Sequence, residues 1–192
     1  MLIGHPPVGT RQRLPQRVGE MSGDALVQIW TSCTSAVVKY GFSILYRDLE
    51  PPRTGIFNGR QLVIDPDVGF EMQCFVLLHL FGHSVQWVAP SLEAELAGLT
   101  NSPELESFLK FLRGYEYKAA EFGLQLLHEA GLTDFDVWYS DFVATDWRYV
   151  ERYYREGAIP PWEECVLYNA PLVAPRVIPP LVLRDVQVRY AF

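Results

Sequence analysis

From Phe75 to Val88 the chain reads FVLLHLFGHSVQWV, an almost wholly apolar run that Pro90 brings to an end. A helix apolar nearly all round belongs in the interior, so this segment is expected to be buried by whatever else the chain builds. Two of the chain's four histidines, His79 and His83, lie in it four residues apart. That spacing turns both rings to one face of the helix. Polar neighbours are few, and unpaired buried imidazoles cost free energy that a shared cation would offset. Two neutral imidazoles can each give one nitrogen to a single divalent metal, provided the other ring nitrogen finds a hydrogen bond. Chance alone produces such a pair in about one chain in sixteen carrying four histidines, so the spacing needs support from a third ligand.

The remainder is what one packed domain requires. The chain has 192 residues, 49% hydrophobic and 20% charged, which excludes a disordered or collagen-like polymer. Sixteen basic against twenty-three acidic residues give a net charge of -7, which argues against direct nucleic-acid binding. No apolar run approaches the roughly 20 residues a membrane span needs. The opening MLIGHPPVGTRQR lacks the apolar core of a secretory leader. A cytoplasmic protein is therefore expected. Cys33, Cys74 and Cys165 are odd in number and form no CxxC pair, so they read as small buried hydrophobes rather than a disulfide or zinc framework.

Residues 1–19, with three arginines and three prolines, read as a mobile N-terminal arm. A main domain over 20–158 follows. Asp24 is a candidate N-cap for an amphipathic helix ending at Gly41. Phe42–Leu49 and Ile56–Ile64 read as strands, and Asn58-Gly59 marks a tight hairpin inside the second, so three short antiparallel strands are expected. Asp65-Pro66-Asp67 is a candidate cap for the apolar helix. Two further helices are expected over 104–129 and 136–156, with Gly131 and Gly157 as stops. Residues 159–192 carry six of the fourteen prolines and are expected to wrap the body as extended chain, with Leu181–Val188 as a candidate edge strand. The fold class is α+β, a small antiparallel sheet packed against three or more helices with an extended Pro-rich tail.

The third ligand is expected on the helix over 104–129. Three, four and seven residues beyond Glu116 stand Ala119, Ala120 and Gly123, all on its helical face and all small. Two helices can approach closely there with the carboxylate between them, and Gly82 supplies the matching gap on the first helix. His79, His83 and Glu116 make a two-histidine, one-glutamate set with a fourth position open, the arrangement of catalytic rather than structural zinc. Glu121 and His128 fall off this face, Cys74 points elsewhere, and His5 sits in the arm. His128, near its helix end, reads as a dipole contact.

The order of a helix, short strands with the hairpin GIFNGRQLVID, FVLLHLFGH, a spacer and then Glu-x-x-Ala resembles the ImmA/IrrE family of zinc metallopeptidase-like proteins, within the wider gluzincin group. The likeness covers roughly residues 24–130. It implies a zincin-like fold, zinc as cofactor, and His79, His83 and Glu116 as its ligands. It also implies a protein or peptide partner, in that family a DNA-binding repressor. The chain departs from the family at residue 80, where Leu80 replaces the general-base glutamate of His-Glu-x-x-His, and at residue 120, where Ala120 replaces a supporting aspartate. General-base assistance contributes about 10² to 10⁴ in rate, so its loss leaves a poor hydrolase. Asp141 or Asp146 on the aromatic helix is a candidate replacement, but acids on such a helix are expected on its solvated face. The leading reading is a metal-binding, catalytically impaired homologue, a pseudoenzyme acting as a binding or regulatory module. The alternatives are an active zinc endopeptidase and a metal-free interaction scaffold.

Overall fold

Ser22, not Asp24, starts the first helix. Its Oγ accepts the Ala25 N–H at 3.2 Å, and Asp24 falls inside the first turn, where its charge still favours the helix dipole. The computed structural model describes residues 18–50, 53–93 and 104–186. Among these are five helices, α1 (Gly23–Lys39), α2 (Phe70–Val88), α3 (Leu105–Glu129), α4 (Asp136–Glu156) and the short α5 (Trp162–Cys165). Three strands, β1 (Ser43–Tyr46), β2 (Gly55–Phe57) and β3 (Gln61–Ile64), form one sheet. The class is α+β, a small sheet packed against helices. Residues 1–17 of the expected arm lie outside the described residues, but Val18 is buried and the Gly19 N–H donates to both carboxylate oxygens of Glu71 at 3.0 Å.

The sheet corrects the expectation of an all-antiparallel arrangement. Its order is β1-β3-β2, with β2 and β3 antiparallel and β1 and β3 parallel. Gly59 at φ 88° closes the β2–β3 turn, a conformation that favours glycine. Residues 47–54 separate β1 from β2, more than a tight hairpin holds, and the middle place goes to the most apolar strand. Leu62, Val63 and Ile64 are all buried there, whereas β1 lies at an exposed edge. The α2 helix also starts later than Asp65-Pro66-Asp67 suggests. Asp65 spends its carboxylate on the N–H groups of Leu49 (3.3 Å) and Asp67 (2.9 Å), forming a turn, and Gly69 becomes the N-cap.

Helix α2 is the centre of the molecule, with Phe75, Leu77, Leu78, Phe81 and Val85 all 2% exposed or less. Its approach to α3 is backbone on backbone. A Cβ on Gly82 would stand 2.0 Å from the Ala119 carbonyl oxygen, and one on Gly123 would stand 2.8 Å from that of Leu78. Helix α4 has the expected bounds and ends on Gly157 at φ 68°. Its Phe142 stacks on Phe75 of α2 with ring centroids 4.3 Å apart.

After α5 the described chain, 166–186, has no helix or strand, so the candidate edge strand does not form over 181–186; residues 187 and 188 lie outside the described residues. Instead, isolated bonds pin the chain to the body. Thr145 Oγ1, Asp141 Oδ1 and Ser140 Oγ on α4 accept the N–H groups of Leu167, Ala170 and Val173 at 3.0, 2.8 and 3.0 Å. Farther on, the Val182 N–H donates to Val88 O and that of Val186 to Asn58 O. Among the described residues no helix is long and apolar enough to cross a membrane.

Candidate metal centre

Because α2 and α3 touch through Gly82 and Ala119, side chains one turn away are driven to the same point. His79 Nε2, His83 Nε2 and Glu116 Oε2 form a triangle with edges of 3.0, 3.0 and 3.2 Å. All three expected ligands are thus brought together, and the group can hold a metal ion. A tetrahedral zinc with bonds of about 2.0–2.2 Å holds its ligand atoms about 3.3 Å apart, close to these edges.

The hydrogen bonds around the triangle fix the orientation of one of its rings. Gln86 Nε2 donates to the Tyr115 carbonyl at 2.8 Å, which fixes the amide, so Gln86 Oε1 faces His83 Nδ1 at 2.8 Å as an acceptor. His83 Nδ1 therefore carries the hydrogen, and in the neutral ring Nε2 presents a lone pair. That lone pair looks onto His79 Nε2 and a carboxylate oxygen, and with His79 Nε2 also unprotonated one cation satisfies all three atoms together. Glu116 Oε1 is buried without a hydrogen-bond partner among the described residues, a further acceptor that fits a cation beside it. The donor set and the orphaned oxygen fit a divalent metal.

Ring packing holds the histidines in place. His83 lies against Tyr115 (4.6 Å between centroids, 28°) and Phe57 (6.0 Å, 2°), and His79 against Phe75 (5.4 Å, 28°). The three side chains are 18%, 7% and 8% exposed for His79, His83 and Glu116, so His79 stands nearest the opening. Burial works against charge on all of them. For Glu116 the two histidines outweigh burial and hold its carboxyl far below the usual range. For His79, burial is outweighed by Glu116, through hydrogen bond and charge, and by the charge of Asp146, which together hold its pKa above the ordinary imidazole value.

The centre lies where two cavities meet. A cleft of about 840 Å³ and a smaller cavity of about 210 Å³ share three lining residues, His79, Glu116 and Asp146. The far wall of the cleft is built by α4 and by Leu167, Tyr168, Pro171 and Val173 of the tail. Leu80, which follows His79, is 6% exposed and lines the smaller cavity; its Cδ1 would lie 2.7 Å from a Cβ on Gly55, so it packs beneath β2.

Neither acid on α4 lies on the solvated face expected for it. Asp141 is fully buried, its Oδ1 taken by Ala170. Asp146 sits four residues from buried Phe142 and from buried Val150, on the apolar stripe of α4, and burial pushes it up to about 6 against the pull of His79. That position between two apolar residues at helical spacing was a signal in the sequence. Gln86 is the residue that was missed, and its signal was a polar side chain three residues after His83. The residues set aside stay aside: His128 pairs with Asp136 at 2.7 Å, Cys74 donates toward Leu26 O, and Cys33, Cys74 and Cys165 are free and buried. His5 lies outside the described residues. A second acidic group, Asp48, Asp65 and Asp67, has Asp65 committed to backbone N–H groups and its other two members exposed. Comparison of the chain with family models, with curated proteins and with solved structures finds no match.

Proposed function

We propose that this chain is a zinc-binding protein with a metallopeptidase-like centre, in which His79, His83 and Glu116 hold the ion at the floor of a cleft that receives a polypeptide segment. The single observation that carries the reading is the triangle of three ligand atoms 3.0–3.2 Å apart, with His83 Nδ1 committed to Gln86. Imidazole and carboxylate donors in a four-coordinate arrangement select zinc among the common divalent ions. When bound, zinc supplies a Lewis acid that polarises a carbonyl and acidifies water.

The chain's own residues do the rest. Gln86 and the rings of Tyr115 and Phe57 orient His83, and the apolar surroundings exclude competing water from the ligands. Leu80 deprives the centre of the proton acceptor that His-Glu-x-x-His proteins carry at that place, so hydrolysis here needs an acceptor from elsewhere in the chain, and without one the centre serves as a binding or regulatory module. The partner that the family resemblance suggests is a cytoplasmic regulatory protein such as a DNA-binding repressor.

Metal analysis of protein purified without chelator tests the reading. One zinc per chain is expected in the parent and near none in His83→Ala, with circular dichroism showing that both are folded. Equal, near-zero content in the two would remove the metal centre and leave an interaction scaffold.

A further inference from the structure

Resting on the zinc reading above, we infer that Asp146 is a catalytic residue: the carboxylate that takes and returns the proton in amide hydrolysis at this centre, in place of the one missing at Leu80. Three observations converge on it. The stacked pair Phe75 and Phe142 locks α2 to α4, and one helical turn beyond that contact in each helix come His79 and Asp146. Both cavities that reach His79 and Glu116 are also lined by Asp146. And Asp146 lies outside the set of side chains whose ligand atoms fall within 4.8 Å of one another, so it borders the ligand triangle without joining it.

Other carboxylates nearby are already engaged. Glu151 lines the cleft but pairs with Arg155 at 2.9 Å, and Asp141 binds the Ala170 N–H and lines neither cavity. Among the described residues no hydrogen bond engages Asp146, and the charges that act on it are those of His79 and Glu116. A half-buried carboxylate without a hydrogen bond is costly, and it is held by a helix whose face is fixed by Phe142 and Val150. Its partner is the water and substrate that enter the cleft.

The step is a simple exchange. A water molecule gives a proton to the Asp146 carboxylate as its oxygen bonds to the carbonyl carbon of a peptide. Asp146 passes that proton to the amide nitrogen as the C–N bond breaks, giving a carboxylic acid and an amine and restoring the carboxylate. Water is the only co-reactant. The substrate class is a polypeptide, because the wall opposite the centre is itself main chain without helix or strand, 167–173, pinned along α4 by single hydrogen bonds.

The test uses the full chain loaded with zinc, as parent, Asp146→Asn and Leu80→Glu. Zinc affinity is measured by chelator competition, binding of acetohydroxamic acid by calorimetry, and hydrolysis with fluorescein-labelled casein. Hydroxamate binds zinc as an anion and leaves its proton on a neighbouring base, so this arm needs no natural substrate. Asp146→Asn is expected to hold zinc as the parent does, to bind acetohydroxamic acid at least about tenfold more weakly, and to lose about 100-fold or more of any casein cleavage. Equal hydroxamate affinity in parent and Asp146→Asn would overturn the assignment. So would loss of zinc from Asp146→Asn, which would make Asp146 a ligand, or cleavage by Leu80→Glu alone, which would show that nothing replaces the missing base. A parent that takes up no zinc sinks the metal reading and this inference together, whereas the other failures leave the metal reading standing.

Discussion

The tautomer of His83 is decided by a residue that never reaches the triangle. Gln86 can only accept at Oε1, because its amide nitrogen is held by the Tyr115 carbonyl, so the ring must point an unprotonated Nε2 at the site. Removing such a support costs about 10- to 100-fold in metal affinity. Gln86→Leu, which keeps the volume and removes the acceptor, is therefore expected to weaken zinc binding by about that factor, measured by competition with a chromophoric chelator. Unchanged affinity would mean that packing against Tyr115 and Phe57 suffices. At this scale the two histidines were legible from their spacing and Glu116 from its small-residue face, because both are properties of one helix. Asp146 was legible only as a candidate beside Asp141: its place between Phe142 and Val150 puts it on the apolar stripe of α4, but nothing local told that this stripe would meet α2.

Helices α2 and α3 owe their closeness to two glycines. Gly82 has no room for a methyl group, with Ala119 O only 2.0 Å from where its Cβ would be, whereas Gly114 on α3 has nothing within 4 Å. The same substitution should then act with opposite signs. Gly82→Ala must push the helices apart and is expected to cost more than about 3 kcal/mol and to weaken zinc binding as Glu116 recedes. Gly114→Ala relieves a flexible residue inside a helix and is expected to gain about 0.5–1 kcal/mol. Denaturant melts of the two variants check the pair, and a Gly82→Ala variant as stable as the parent would contradict the described approach. Element bounds followed the sequence closely wherever a glycine or proline stopped a helix, as at Gly157. They slipped at the start of α2, where Asp65 is drawn off by Leu49, a partner sixteen residues away.

For the molecule as a whole, zinc held by His79, His83 and Glu116 would join α2 to α3 and so couple metal occupancy to folding. A ligand present at about 100 times its dissociation constant stabilises the folded state by about 2.7 kcal/mol. For a chain of this size that corresponds to about 5–10 °C in melting temperature. Zinc is expected to raise the melting temperature by that amount, a chelator to reverse the rise, and His83→Ala to show neither effect, all by differential scanning calorimetry. An equal rise in His83→Ala would place the binding elsewhere. By itself the sequence determined the helices, the i, i+4 histidines, the small face around Glu116 and the hairpin at Asn58-Gly59, because helical period, turn chemistry and breakers act over a few residues. Only the tertiary structure decided that β3 pairs in parallel with β1, that Gln86 finds Tyr115, that the tail lies along α4 and that Asp146 faces His79. Each of those depends on which surfaces meet and in what register, and a pairing between distant segments leaves no periodic trace in either of them.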